Sequence, residues 1–150
     1  MTASNDTLKV ILLRHGQSEL NHENIFCGWI DASLTDKGKH QARNAAQLIQ
    51  KYCQDENVAL PQVGYTSRLV RTQQTIEVML DELHLKGSYE VVPGIQYDTT
   101  EKLESNEVKV LQTWRLNERH YGSWQGQRKP DILKEYGKEQ YMYIRRDYQG

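Results

Sequence analysis

The sequence predicts an α/β protein whose mostly parallel sheet carries helices on both faces. Two observations point to this class: strand-like and helix-like segments alternate along the first half of the chain, and polar residues suited to chemistry follow the strands directly. This alternation is typical of βαβ units, which bind ligands at the carboxyl ends of their strands. The length fits one domain over residues 1–150.

The first two predicted elements are a strand and a helix. Residues 8–13 form a short apolar run that ends in an Arg-His-Gly turn, which indicates a buried strand. Between Thr35 and Cys53, apolar residues recur at helical spacing behind a Thr-Asp start. We expect this segment to form an amphipathic helix that packs on the sheet.

The same pair of elements then recurs. Residues 62–66 predict a second strand, and the apolar residues between Ser67 and Leu83 return to helical spacing. The mixed polar and acidic stretch 86–107 predicts an inserted surface loop. This pattern completes the order strand, helix, strand, helix.

The carboxy-terminal third predicts one more strand and two short helices. Strand character covers residues 108–113. Residues 131–136 and 138–148 are helical in pattern on either side of Gly137. The final segment therefore continues the α/β pattern.

Composition and charge exclude several classes of protein. The net charge of −1 argues against nucleic-acid or membrane binding, and the longest apolar run, residues 10–13, is too short to cross a bilayer. Without a signal-peptide pattern, we expect a cytoplasmic protein whose two cysteines are free thiols. Residues 111–150 hold eight Arg and Lys against five Asp and Glu, which indicates a small anionic ligand.

The first candidate site is the turn after the first predicted strand. His15 at a strand end could present one ring nitrogen to a substrate while the other donates to a backbone carbonyl. Arg14 beside it offers a planar fork of donors for phosphate, and Gly16 would let the backbone approach the ligand closely. The alternative is a histidine that only caps a turn.

Two further segments combine charges in ways that fit the same chemistry. Arg68 and Arg71 begin the second predicted helix, where an anion would be favoured, although this segment taken alone favours solvated surface arginines. Glu118 lies among cations after the last predicted strand and could serve as a general acid or base. Its alternative is a loop of surface ion pairs.

Together, three stretches resemble one family. They are LLRHGQSELNHENIFCGWIDASLTDKGKHQA from Leu12, TSRLVRTQQT from Thr66 and TWRLNERHYGSWQGQRKP from Thr113. In their order and content they resemble the cofactor-dependent phosphoglycerate mutases of the histidine phosphatase superfamily. The resemblance covers nearly the whole chain except its first residues and residues 86–107. It implies that superfamily's three-layer sandwich.

The resemblance also implies roles for single residues. His15 matches the histidine that is phosphorylated, Arg14 and Arg71 match the arginines that hold the transferred group, and Glu118 matches the proton donor or acceptor. The positions that match substrate contacts or the phosphate loop are Ser18, Asn21, Cys27, Gly28, Arg119, Tyr121, Lys129, Arg145 and Arg146.

The implied reaction interconverts 3-phosphoglycerate and 2-phosphoglycerate through a phosphohistidine. It is primed by 2,3-bisphosphoglycerate and needs no metal. The implied partners are small phosphorylated three-carbon acids, and the question whether the protein forms a homo-oligomer stays open. A helix end whose dipole is complemented by Arg145 and Arg146 is the alternative to a binding role for that pair.

The sequence departs from the family pattern in four ways, of which the length of residues 86–107 suggests a divergent paralogue. Leu20 stands where the family usually has tryptophan, and Cys27 stands where it has serine or threonine, which replaces a hydroxyl with the weaker thiol donor. Residues 86–107 are longer than the corresponding loop of compact members. The family's second catalytic histidine, in an Ala-His-Gly context, has no counterpart here, so we expect an incomplete domain that lacks its carboxy-terminal part.

Three functions therefore stay open for this chain. The first is a phosphoglycerate mutase. The second is a small-molecule phosphatase of the same superfamily, which the RLNERHYG segment disfavours because it resembles the mutases specifically. The third is a non-catalytic or truncated paralogue that binds phosphorylated metabolites.

Overall fold

A three-stranded parallel sheet forms the centre of the protein. The computed structural model describes residues 7–94 and 102–147. In it, strands β1 (Val63–Thr66), β2 (Lys86–Val91) and β3 (Glu107–Gln112) lie in the order β1-β3-β2. Both outer strands pair in parallel with β3. The α/β class and the parallel sheet are thereby confirmed.

Helix α3 (Val70–Glu82) packs against this sheet. Leu80 of the helix is buried with Val108 and Val110 of β3. Because β3 is the central strand, its apolar residues are shielded on both sides, and Val110 is fully buried. This contact fixes the direction in which α3 leaves the end of β1.

Helix α2 (Asp36–Asp55) begins where the sequence predicts it. Thr35 caps the helix, its hydroxyl accepting a hydrogen bond of 3.1 Å from the N–H of Gly38. Its buried alanines Ala42 and Ala46 meet Met79 of α3. The main contact of α2 is thus with α3, whereas the sequence predicted packing on the sheet itself.

The predicted strand over residues 8–13 is wrong. This segment forms no strand, and its apolar side chains are exposed, with Leu8 at 87% and Leu12 at 91%. An apolar run becomes a strand only if a neighbouring strand accepts its N–H and C=O groups. Within the described residues, the sheet ends at β1 and β2 and takes up no fourth strand.

The predicted surface loop over residues 86–107 is wrong at both of its ends. Its first six residues form β2, whose pairing with β3 runs from Lys86 to Val91, and Glu107 already belongs to β3. As an edge strand with largely exposed faces, β2 carries polar residues and lacks the apolar pattern of a buried strand. Residues 95–101 lie outside the described residues, so the rest of that prediction stays a prediction.

The last helix packs on a cluster of mostly aromatic side chains. Helix α4 (Lys129–Arg146) is interrupted at Gly137, whose φ of 79° is not helical, so the two predicted short helices are confirmed. Phe26, Trp124, Ile132 and Tyr141 form a buried cluster that anchors α4 to the loop before α2. The remaining elements are α1 (Glu19–His22) and the 3-10 turns Trp114–Leu116 and Gly122–Trp124.

Among the described residues, no helix has the length and apolarity needed to cross a membrane.

Candidate active site

The site forms where the segments after β1 and β3 meet. Because these strands are parallel neighbours, their carboxyl ends lie at the same edge of the sheet. Arg71 stands in the first turn of α3, just after β1, and Glu118 follows β3. His15 approaches the same edge from the amino-terminal segment, where it contacts Arg71.

Gly16 holds the His15 segment against two helices. Its N–H donates a hydrogen bond of 3.2 Å to Oγ1 of Thr75 in α3. A Cβ at Gly16 would lie only 2.2 Å from the carbonyl oxygen of Gly38 in α2. In this structure the small size of Gly16 thus serves a close backbone contact with Gly38, whereas the sequence suggested an approach to a ligand.

The contacts of the His15 imidazole favour its neutral form. Its Nδ1 lies 2.6 Å from the carbonyl oxygen of Gly16, which places the proton on that nitrogen in the neutral ring. Its Nε2 accepts a hydrogen bond of 3.3 Å from Nε of Arg71. Burial lowers the pKa of His15, and the charges of Arg71 and Arg14 add to this, against the Gly16 contact and Glu118.

Arg71 is the centre of the site. Its side chain is fully buried, and its guanidinium donates to His15, to the carbonyl oxygens of Gly28 and Ile30, and to Glu118. A fully buried cation requires such partners because its desolvation is costly. Of the two arginines near the start of α3, Arg71 therefore belongs to the site, whereas Arg68, which precedes the helix, is exposed.

Glu118 is held at both its backbone and its carboxylate. Its Oε2 accepts a hydrogen bond of 2.8 Å from Nη2 of Arg71. Its backbone carbonyl accepts one of 2.6 Å from the indole N–H of Trp29. The carboxylate remains 37% exposed, so it can reach both Arg71 and a ligand in the cavity.

Most of the predicted site residues line one cavity of about 490 Å³. The predicted residues that the structure brings together there are Arg14, His15, Asn21, Cys27, Arg71, Glu118, Tyr121, Lys129, Arg145 and Arg146. A second cavity of about 540 Å³ shares Arg14, His15 and Lys129 with the first and extends towards α2. The imidazole is thus open to a ligand from two sides.

The cavity holds more cations than anions. Burial lowers the pKa of Lys129, and the neighbouring charges of Arg145 and Arg14 act in the same direction against Glu118 and Cys27. Arg14 makes no hydrogen bond to any residue that the structure describes. An anion in this cavity would relieve the mutual repulsion of these groups.

Three predicted site residues do not line either cavity. Ser18 is fully buried and exchanges capping hydrogen bonds with Asn21 at the start of α1. Gly28 adopts a φ of +53° and accepts a hydrogen bond from Arg71 through its carbonyl. Arg119 donates to the carbonyl oxygens of Ile144 and Asp147 instead of facing the cavity.

The structure shows a contact of Arg119 within the protein, while its predicted contact with substrate stays a prediction. The last carbonyls of a helix lack intrahelical partners, and a guanidinium at the end of α4 supplies them. Arg119 thereby fixes the helix end that carries Arg145 and Arg146. It acts on the cavity through those two residues.

Cys27 and Tyr121 line the cavity as protonated groups. Burial is the main cause that raises the pKa of the Cys27 thiol, and its Sγ donates to the carbonyl oxygen of Ile30. Burial and the charge of Glu118 raise the pKa of Tyr121, whose ring packs 4.9 Å from that of Phe26. Both side chains are therefore neutral at physiological pH.

Three residues that contribute to the site were missed from the sequence. Trp29 ties the backbone of Glu118, and Gln125 accepts a hydrogen bond from the N–H of Trp29. Asp31 further caps α3, because its Oδ1 accepts from the N–H of Val70. All three lie beside predicted site residues, but their role depends on contacts that a pattern of residues does not contain.

The described residues hold no group of three His, Cys, Asp or Glu side chains that could bind a metal ion.

Comparison with known proteins shows the family to which the chain belongs. A family model described as "Histidine phosphatase superfamily (branch 1)" matches residues 10–96, which include His15 and Arg71. The chain belongs to the histidine phosphatase superfamily. The match ends before Glu118 and Lys129, so the superfamily model covers the part of the site that holds His15 and Arg71 and not the whole cavity.

Curated members of the superfamily are similar over nearly the whole chain. Phosphoglycerate mutase 3 of Saccharomyces cerevisiae is 64% identical over 148 residues, which cover 97% of this chain and 49% of the relative. Phosphoglycerate mutase 2 of the same yeast is 61% identical, with 100% and 51% covered. A 2,3-bisphosphoglycerate-dependent phosphoglycerate mutase of an Arthrobacter species is 41% identical, with 95% and 47% covered.

The chain thus spans about half the length of the curated relatives it matches.

Solved structures of the histidine phosphatase superfamily share the fold. A mycobacterial glucosyl-3-phosphoglycerate phosphatase matches with a TM-score of 0.58 and 22% identity, over 86% of this chain and 47% of that chain. A phosphoserine phosphatase from Entamoeba histolytica matches with a TM-score of 0.54 and 20% identity, over the same shares. At these identities the likeness concerns the fold alone.

Proposed function

We propose that this chain carries the phosphohistidine of a 2,3-bisphosphoglycerate-dependent phosphoglycerate mutase that works in the cytoplasm. It interconverts 3-phosphoglycerate and 2-phosphoglycerate, and its ligands are small phosphorylated three-carbon acids. The contact of His15 with the buried Arg71, beneath a cavity rich in cations, is the observation that carries the proposal. The names and identities of the yeast relatives support it.

The chemistry of the cavity fits a bisphosphorylated acid. Such a molecule carries two phosphates and a carboxylate, and the cavity offers Arg14, Lys129, Arg145 and Arg146. Burial is the main cause that lowers the pKa of Lys129, and the charges of Arg145 and Arg14 add to it, so an anion beside these cations would be favoured. 2,3-Bisphosphoglycerate supplies the phosphoryl group that primes the enzyme.

His15 accepts the phosphoryl group at Nε2. The lone pair of Nε2 forms a bond to phosphorus while the phosphorus–oxygen bond to the glycerate breaks, and the leaving oxygen takes a proton. The contact of Nδ1 with the Gly16 carbonyl stabilises the positive charge that develops on the ring. The guanidiniums of Arg14 and Arg71 spread the charge of the phosphoryl oxygens.

Glu118 moves the proton. When the phosphoryl group passes from Nε2 of His15 to a hydroxyl of the substrate, that hydroxyl loses its proton, and the carboxylate of Glu118 accepts it. In the opposite direction the same carboxyl group returns the proton to the leaving oxygen. The partial exposure of Glu118 at the cavity wall suits both steps.

Arg71 contacts both His15 and Glu118 and so links their two proposed roles. A guanidinium has five N–H donors, and four hydrogen bonds to His15, Gly28, Ile30 and Glu118 already use most of them. A phosphoryl group on Nε2 uses the lone pair that accepts from Nε of Arg71, so this N–H becomes available to a phosphoryl oxygen while Nη2 still donates to Glu118.

Mutase turnover tests the proposal. The conversion of 3-phosphoglycerate is followed for the chain itself and for the chain joined to the remaining half of the yeast relative. We expect turnover in the joined protein, and a loss of about 100-fold with Glu118→Gln, since a general acid or base contributes at least that much. The control Glu139→Gln, on the exposed surface of α4, leaves turnover unchanged.

Two other outcomes would contradict the proposal. Release of phosphate from varied monoesters faster than mutase turnover would identify a phosphatase. Binding of 3-phosphoglycerate without turnover in the joined protein would identify a non-catalytic paralogue.

A further inference from the structure

Gln125 links two segments of the site without facing the cavity. Its Oε1 accepts a hydrogen bond of 2.9 Å from the N–H of Trp29 and a longer one of 3.4 Å from the N–H of Tyr121. A Cβ on Gly28 would lie 2.1 Å from the same Oε1. One amide oxygen therefore occupies the space beside Gly28 and holds the turn after Cys27 against the segment that follows Glu118.

That turn touches both charged partners of the site. The carbonyl of Gly28 accepts 2.7 Å from Nη2 of Arg71, and the indole N–H of Trp29 donates to the carbonyl of Glu118. A displacement of the turn would therefore change the position of the guanidinium and the carboxylate together. Glu118 has no side-chain tie to the turn itself among the described residues.

The backbone that follows Gln125 is fixed independently of its side chain. The N–H of Gly126 donates to the carbonyl of Phe26, and the N–H of Phe26 donates to the carbonyl of Gln127. These bonds do not depend on the side chain of Gln125. Its loss should therefore loosen the turn locally and leave the surrounding fold intact.

We propose that Gln125 is a positioning residue whose side-chain oxygen holds the Gly28–Trp29 turn where that turn fixes Arg71 against Glu118 and His15. It touches no reacting atom and acts through those three groups. The proposal rests on the proposed function only for its effect on turnover, because the position of Arg71 beside His15 is measurable in an inactive protein.

Two substitutions separate the oxygen from the bulk of the side chain. Gln125→Met keeps the length but removes the acceptor, whereas Gln125→Glu keeps an acceptor oxygen. The matched control is Gln127→Met. Gln127 lies two residues away and donates to the carbonyl of Ser123, not to the turn.

The first measurement follows the ring of His15 by NMR titration and the amide exchange of Trp29 in the full chain. Burial and the charges of Arg71 and Arg14 lower the pKa of His15, while Glu118 and the Gly16 contact raise it. In Gln125→Met we expect faster exchange at Trp29 and a His15 pKa closer to its ordinary value, because Arg71 and the buried surroundings both loosen. Gln125→Glu should resemble the original chain in the exchange of Trp29, and Gln127→Met should resemble it in both measurements.

The second measurement is turnover in the chain joined to the remaining half of the yeast relative. We expect Gln125→Met to lower kcat about tenfold with KM changed less than about twofold, since a small misplacement of reacting groups acts on the chemical step. The residues that hold the ligand, Lys129 and Arg145, are untouched.

The outcomes are distinct. Unchanged Trp29 exchange and His15 titration in Gln125→Met would overturn the positioning role, whatever the activity. Altered exchange and titration without turnover in any protein would support the positioning role and contradict the proposed function.

Discussion

Nη2 of Arg71 donates to Oε2 of Glu118 at 2.8 Å, and this ion pair joins the segments that follow two neighbouring parallel strands. The arginine is fully buried and the glutamate is partly exposed. The buried charge thus has a partner from a distant part of the sequence, and that partner lies on the wall of the cavity. The same ion pair therefore contributes to the stability of the fold and to the proposed chemistry.

Removal of the buried guanidinium should destabilise the protein strongly. Arg71→Met leaves the carbonyls of Gly28 and Ile30 and the carboxylate of Glu118 without a donor, and we expect a loss of about 3 kcal/mol. Urea unfolding measures this loss in the free energy of unfolding. The exposed Arg68 provides the control, and Arg68→Met should change stability by less than about 0.5 kcal/mol. Equal losses in both variants would show that the ion pair is not structural.

The position of Arg71 and Glu118 at one edge was predictable from the sequence, because the pattern of residues 62–66 and 108–113 gave parallel strands. The exposed segment 8–13 was not predicted, since an apolar run does not reveal whether a strand is available to pair with it. The edge strand β2 was missed because its polar residues lack the apolar pattern of a buried strand. The hydrogen bond from Arg119 to the end of α4 was not predicted, because it joins two segments whose contact no residue pattern contains.

The titration of His15 should show its burial. Its pKa lies below the ordinary value of about 6.5 that the unfolded chain should have. Between the pKa of the folded state and about 6.5, the unfolded chain therefore binds more protons than the folded chain. The contribution of His15 to the free energy of unfolding is complete above this pH range. It is lost as the pH falls through the range. NMR titration of the imidazole in the folded chain and in urea measures both values. A folded value above the unfolded one would contradict the burial of the ring.

Anion binding should depend on Lys129. With its charge removed in Lys129→Met, we expect the affinity for 3-phosphoglycerate to fall about tenfold, which corresponds to about 1.4 kcal/mol. Calorimetric titration provides the measurement. Lys134→Met, an exposed lysine of the same helix, is the control and should bind as the original chain does. An equal loss in both variants would indicate a diffuse effect of charge instead of a site.

The thiol of Cys27 should be unreactive in the folded chain. It is buried, its pKa is raised mainly by burial, and its Sγ donates to the carbonyl of Ile30. We expect alkylation by iodoacetamide, followed by mass spectrometry of the peptide, to be at least about tenfold slower in the folded chain than in urea. Equal rates in the two conditions would place the thiol in solvent.

Phosphorylation of His15 tests the central claim most directly. The chain, and the chain joined to the remaining half of the yeast relative, are incubated with radiolabelled 2,3-bisphosphoglycerate, and the label is located by peptide mapping. We predict an acid-labile label on His15 in the joined protein. It should be absent in His15→Ala, present in the control His40→Ala, whose exposed histidine lies outside both cavities, and present in Glu118→Gln. Label that persists in His15→Ala, or no label in either protein, would contradict the account.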